Sequence, residues 1–244
     1  MSAVPVLEQA PTIEAWRQRL IEVIMAAPEP PAKPGKITYE EFLAWADEDT
    51  LAEWANGEVV MASPAARKHQ AISVFLERLI GLYAEHRALG VVLPAPFQMK
   101  LPQSGREPDL IFVAVAHAER LRDTYLDGPA DLAVEVLSPE SIGRDRGEKF
   151  YEYAQGGVPE YWLIDPDAQW AEFYRLGDFG LYEPVFTGRE GIYRSAALPD
   201  FWLRVGWLWQ EPLPAVDDVL LEVGGEAYAR RWIERLRQRG FLKS

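Results

Sequence analysis

The stretch DLAVEVLSPESIGRDRGEKFYEYAQGGVPEYWLID, residues 131–165, decides the fold. Its opening, Asp131 to Ser138, is almost fully apolar apart from Glu135 and predicts a strand. RDRGEKFYEYAQGG, residues 144–157, predicts a helix ended by Gly156 and Gly157. EYWLID, residues 160–165, predicts a second strand. Working outward, EPDLIFVAV at 107–115 and VVLPAPFQMKL at 91–101 read as strands, with HAERLRDTY at 117–125 a short helix or loop. Before them, AARKHQAISVFLERLIGLYAEH at 65–86 is a long helix whose buried face carries Ile72, Phe75, Leu76, Leu79, Ile80 and Tyr83. LAEWANGEVVMAS at 51–63 predicts a hairpin turning at Asn56-Gly57, and Thr38 with Glu41 predicts a capping box. QWAEFYRL at 169–176 reads as a further strand, followed by LYEPVFTGREGIYRS at 181–195 and another apolar segment. One helix inside a series of strands, with a long helix ahead of it, predicts an α/β or α+β sheet core.

The two ends differ from this middle. TIEAWRQRLIEVIMA at 12–26 has helical spacing, and PEPPAKPG at 28–35 reads as a stiff linker. EAYARRWIERLRQRGF at 226–241 predicts a terminal helix with a basic end. The expected division is an N-terminal helix and linker at 1–35, a central domain at 36–210 and a helical extension at 211–244.

The chain has 244 residues, of which 48% are hydrophobic and 26% charged, the mix of a globular protein. It has no cysteine, which removes disulfides, thiolate metal sites and cysteine nucleophiles. His69, His86 and His117 lack metal-ligand spacing. No apolar run reaches the ~18 residues of a membrane span, and MSAVPVLEQAP does not read as a secretory signal. A cytoplasmic protein without a membrane contact is expected. The net charge of −13 argues against a protein that coats nucleic acid non-specifically. The charge is uneven: −7 over residues 1–60, −1 over 61–150 and −5 over 151–244. A polyanion, if handled at all, is handled by the middle.

Two carboxylates stand in apolar strands there. Asp109 follows Pro108 and precedes LIFVAV, and Glu135 sits between Val134 and Val136. Buried carboxylates need compensation. If the strands are neighbours, the two converge, and a hard divalent ion, Mg²⁺ or Mn²⁺, is their natural partner. Such an ion polarises a phosphoryl oxygen and activates water. The competing reading has Glu135 at a solvent-facing strand end and Asp109 capping a turn. Lys149 lies 14 positions after Glu135 on the next helix, with Tyr153 one turn further on. It can steady an attacking water or the phosphate charge, or it can simply pair with Glu152 or Asp145.

EPDLIFV, LAVEVLSPES and GEKFYEYAQGGVPEYWLIDP, with AEWANGEVVMASPAARKH upstream, together resemble the Uma-two family of restriction-endonuclease-like proteins, within the PD-(D/E)XK nuclease superfamily. The resemblance runs from about residue 36 to about residue 204. It implies a restriction-endonuclease-like core, a mixed central sheet flanked by helices, with extra helices at both ends. It implies that Asp109 and Glu135 ligate Mg²⁺ together with the backbone carbonyl of Val136. The superfamily lysine would fall at Leu137, so the resemblance hands its role to Lys149. It further implies DNA as substrate and 5′-phosphate and 3′-hydroxyl products.

Glu53, and less so Glu58, flank the hairpin turn and could add a metal-site acid; the alternative is a solvated hairpin. His69 could touch a phosphate or serve as a structural hydrogen-bonder. Gln98 could face the site. Asp165 reads as a turn residue. Arg106, Arg144 and Arg146 bracket the site and could contact phosphates. Trp162, Trp170, Trp202, Trp207 and Trp209 could form a stacking platform, but read better as core or as an interface in a homodimer. The expected function is a Mg²⁺-dependent DNA endonuclease. The alternatives are a catalytically silent binding or regulatory module on the same fold and, third, a tryptophan-based carbohydrate binder, which the two internal helices disfavour.

Overall fold

The computed structural model describes residues 35–46, 50, 52–61 and 66–242. The N-terminal helix expected at 12–26, the proline stretch through Pro34 and the Ser63-Pro64 step lie outside the described residues.

Helix α1 (Tyr39–Trp45) begins at the capping box: Thr38 Oγ1 accepts from the Glu41 N–H at 3.2 Å, and Glu41 Oε2 from the Thr38 N–H at 2.7 Å. Strands β1 (Ala52–Ala55) and β2 (Glu58–Met61) form the hairpin, with Asn56 and Gly57 at φ of 50° and 87°. A two-residue turn needs both central residues in that left-handed region, which is why Asn-Gly serves. Helix α2 (Arg67–Arg87) follows.

Two expected elements divide. The strand expected over 91–101 is β3 (Gly90–Pro94) and β4 (Gln98–Leu101), which belong to different sheets. Pro94 and Pro96 supply no N–H to a ladder, so pairing stops between them. Beyond them come β5 (Ser104–Arg106), β6 (Leu110–Ala114), a 3-10 turn over Val115–Arg120, β7 (Tyr125–Asp127) and β8 (Leu132–Val136). The helix expected over 144–157 is α3 (Ile142–Asp145) and α4 (Glu148–Gly156). They part at Gly147, where a Cβ would lie 2.6 Å from the Gly143 carbonyl oxygen. Gly157 closes α4 at φ 85°. Strands β9 (Glu160–Asp165), β10 (Trp170–Leu176), β11 (Tyr182–Gly188), β12 (Ile192–Arg194) and β13 (Trp202–Arg204) lead to α5 (Val216–Gln238). This last helix starts ten residues before the expected Glu226 and bends at Gly225.

The larger sheet runs β11-β10-β9-β8-β6-β3, antiparallel except for the parallel β8–β9 pair that α3 and α4 connect. The smaller runs β2-β1-β5-β4-β7. The expected mixed sheet flanked by helices is what forms. Side chains alternate across the larger sheet. Leu110, Phe112, Leu132, Val134, Val136, Trp162 and Ile164 pack in one cluster with α2 and α5. Ile111, Val113, Ala133, Tyr161 and Leu163 pack on the other side with Tyr153 and Ala154 of α4 and with Met99, Leu101 and Leu126 of the smaller sheet. Glu135, one residue from both Val134 and Val136, therefore points to the α4 side. The C-terminal helix is built into the first cluster through Val216, Val219, Leu220, Val223 and Tyr228.

A polar clamp ties the last strands down. Glu160 is fully buried at the head of β9. Its Oε1 accepts from the Trp162 indole (2.7 Å) and the Tyr193 hydroxyl (2.8 Å). Its Oε2 accepts from Ser195 Oγ (3.1 Å) and the N–H groups of Ala196 (2.7 Å) and Ala197 (2.8 Å). Trp162 and Trp207 are buried, and the Trp202 and Trp207 rings stack 5.4 Å apart, so these tryptophans are structural.

Candidate active site

β6 and β8 are antiparallel neighbours with Leu110 opposite Val134. One step along that register sets Asp109 opposite Glu135. Asp109 Oδ2 accepts from the Val136 N–H at 2.7 Å, which fixes the aspartate against the neighbouring strand. His69, in the first turn of α2, reaches the same oxygen with Nε2 at 3.2 Å. Burial works against a charged His69, but the bond to Asp109 and its negative charge prevail and raise the imidazole above its ordinary range.

α4 supplies the cation. Lys149 Nζ lies 2.9 Å from Glu135 Oε1, 2.9 Å from Glu53 Oε1 and 3.4 Å from Asp145 Oδ1. Tyr153, one turn on, donates to Glu135 Oε1 at 2.8 Å. All five ionisable groups in this knot are buried. For Glu135, burial followed by the charges of Asp145, Asp109 and Glu53 outweighs the pull of Lys149 and drives the carboxyl well above its usual range. Burial also opposes the ammonium, but Glu135, Glu53 and Asp145 overcome it, and Lys149 stays a cation. Glu53 is likewise pushed up by burial, yet Lys149 and Arg106 hold it below its ordinary value.

A second layer braces Glu53. Arg106 is fully buried, reaches Glu53 Oε2 with Nη1 at 3.3 Å, grips Glu152 with Nε at 2.8 Å and Nη2 at 2.9 Å, and touches Glu148 at 3.2 Å. It does not face outward for a phosphate; three carboxylates consume its donors. The Glu107 N–H donates to Glu53 Oε1 at 3.0 Å. Gln98 Nε2 donates to Glu107 Oε1 (3.3 Å), while the Tyr39 hydroxyl donates to Gln98 Oε1 (2.9 Å). Burial first, and then the charge of Glu53, pushes the Glu107 carboxyl up to about 7. Arg146 pairs with Glu172 at 2.8 Å, Glu58 is exposed, and Asp165 Oδ1 accepts from the N–H groups of Asp167 and Ala168 in a turn.

Glu53, His69, Glu107, Asp109, Glu135, Asp145 and Lys149 line one cleft of about 320 Å³, with Arg144 at its side. The geometry brings together Asp109, Glu135, Lys149, Glu53 and His69, with Gln98 one hydrogen bond behind. Glu107 was not anticipated, and Asp145 was expected only as an ion-pair partner of Lys149, which it is at 3.4 Å. Glu107 sits beside Pro108-Asp109 and Asp145 lies four residues before Lys149, and only those short spacings hint at their place in the cleft.

The donors fit a hard cation. Asp109 Oδ1 and Glu135 Oε2 accept no hydrogen bond among the described residues. Among those residues no acidic or histidine side chain joins them in a cluster of three that could hold a metal. Mg²⁺ suits such a sparse pair, because it keeps several waters and takes one or two carboxylates with substrate phosphate oxygens. Glu53 has both oxygens engaged by Lys149, Arg106 and the Glu107 N–H, which leaves it to position Lys149.

Comparison with known proteins agrees with this core. Residues 39–206 match the Uma2 family, described as "putative restriction endonuclease". A solved structure from Anabaena variabilis ATCC 29413, described as a "putative nuclease belonging to DUF820", superposes with a TM-score of 0.61 over 71% of this chain and 97% of that one, at 19% identity. An uncharacterized Synechocystis protein, slr1290, is 28% identical over 162 residues, covering 64% of this chain and 83% of the relative. No helix among the described residues is long and apolar enough to cross a membrane. The chain belongs to the Uma2 family and has a restriction-endonuclease-like fold.

Proposed function

We propose that the cleft hydrolyses phosphodiester bonds in DNA with Mg²⁺ or Mn²⁺. The observation that carries this is the facing of Asp109 and Glu135 on adjacent strands with Lys149 Nζ 2.9 Å from Glu135. Asp109, Glu135 and the Val136 carbonyl would hold the ion, which when bound polarises the phosphoryl oxygen and lowers the pKa of water. Lys149 stands at the attacking side as a fixed cation, aimed by Glu53 and Asp145. Its charge orients the water and offsets the extra negative charge on the phosphate as the transition state forms. His69, held against Asp109, stands at the cleft wall. The proposed setting is cytoplasmic, and the proposed assembly a homodimer, which light scattering of the purified chain would contradict by returning the mass of one chain.

One observation favours a second reading. Lys149 is only 5% exposed and already satisfied by three carboxylates, which suits a silent nuclease fold that binds without cutting. Cleavage of supercoiled plasmid and of single-stranded DNA separates the two. Metal-dependent nicking is expected from the wild type and is expected to fall by about a hundredfold or more in Asp109→Asn and Glu135→Gln, both checked for folding. Nicking that survives both substitutions, or none by the wild type, sinks the catalytic reading.

A further inference from the structure

The first turn of α2 is a partition between two cavities. His69 and Gln70 line the carboxylate cleft on one side. Arg67 and Lys68, the residues just before them, line a second cavity of about 590 Å³ together with Leu208, Trp209, Pro212 and Leu213. That volume lies within the ~300–1,000 Å³ of small-molecule sites, and an apolar wall with a few polar groups is their usual lining. We infer that this cavity takes a nucleobase of the DNA strand next to the phosphate held in the cleft, packed against the Trp209 indole. The inference rests on the cleft's being the DNA-cutting centre.

Three observations point to this occupant. The first is continuity: a strand leaving the cleft meets the second cavity by crossing a single helical turn. The second is charge. In a chain of net charge −13, the partition carries Arg67, Lys68 and His69 in succession, and Arg67 makes no ion pair among the described residues. Lys68 is half exposed and pairs with Glu211 at 3.4 Å across the cavity's mouth. α2 also begins at Ala66 with no side-chain cap, so its first N–H groups add to the attraction for a phosphate crossing the partition. The third is the aromatic. Trp209 is only partly buried, unlike Trp162 and Trp207, and its indole N–H is held by the Arg189 carbonyl at 2.7 Å, which fixes the ring at the cavity wall. Base–aromatic stacking is indifferent to sequence, so the cavity would favour strands whose bases are free to leave a duplex, and single strands above all.

The test is fluorescence anisotropy with a fluorescein-labelled dT 12-mer and an abasic strand of equal length, in Ca²⁺ to hold cleavage back. Trp209→Ala is expected to weaken binding of the dT strand about tenfold and to leave the abasic strand unchanged. Trp209→Phe is expected to keep most of the affinity. Lys68→Glu, an exposed change that leaves the core alone, is expected to weaken both strands. Wild-type binding of dT that Trp209→Ala leaves unchanged would overturn the base site, whatever Lys68→Glu does, while the cleft's function stands. Should Trp209→Ala not fold, Trp209→Leu, which keeps apolar bulk without an aromatic face, is expected to weaken the dT strand alone and decides in its place. A wild type that binds neither strand removes the DNA reading and this inference together.

Discussion

Lys149→Met is expected to destabilise the fold by about 3–5 kcal/mol and to remove catalysis in whatever protein still folds. The cause is the imbalance it leaves. Glu53, Glu135 and Asp145 are buried around one ammonium. Taking away the ammonium strands Glu135 and Asp145 without water and without countercharge, while Glu53 keeps Arg106. The carboxyls would take up protons to escape this, Glu135 first, since burial and its acidic neighbours already raise it. The loss is therefore expected to be pH-dependent with a definite sign. Relative to wild type, the variant's folded carboxyls have raised pKa values, so its stability deficit grows as pH rises through the carboxylate range and shrinks in acid. Chemical denaturation of both proteins at pH 5 and pH 8 checks this. An equal deficit at the two pH values would mean that Lys149 serves by packing its stem, not by its charge.

The second large effect is expected at Glu160. Glu160→Ala takes the acceptor from five donors: the buried Trp162 indole and Tyr193 hydroxyl, and the more accessible Ser195 hydroxyl and Ala196 and Ala197 N–H groups. An unsatisfied buried donor costs about 1–3 kcal/mol, and the full penalty falls on the two buried donors, because water can reach the other three. A loss of about 3–5 kcal/mol, or roughly 10 °C in the melting temperature, follows for a chain of this size. Glu160→Gln keeps one acceptor oxygen and is expected to fall between. The clamp lies on the α2 side of the larger sheet, away from the cleft, so protein that remains folded is expected to keep its activity. Melting curves within 2 °C of wild type for Glu160→Ala would show that the loop finds other acceptors.

The division between what could be read from the chain and what could not has a physical basis. Asp109 and Glu135 stood out because a charge inside an apolar run is anomalous by itself, with no knowledge of its neighbours. Lys149 was singled out by the family resemblance, and Tyr153 followed from it by helical spacing. Arg106 misled because its partners lie 46 and 53 residues away, and only the pairing of β5 with β1 and the docking of α4 bring Glu53 and Glu152 to it. An arginine beside a proposed site looks like a phosphate contact until such long-range register is known. The split of β3 from β4 was visible in Pro94 and Pro96 but was outweighed by the apolar residues around them. Gly147 broke the expected helix because the chain passes too close to Gly143 for any side chain, a contact that exists only once the turn is made.

The most direct test is Mn²⁺ binding followed by electron paramagnetic resonance of the free ion. Wild type is expected to take up one Mn²⁺ per chain, and Asp109→Asn and Glu135→Gln to lose most of that affinity while keeping the wild-type fold. Folded variants that bind Mn²⁺ as tightly as wild type would contradict the assignment of Asp109 and Glu135 as the paired ligands of a metal-dependent nuclease.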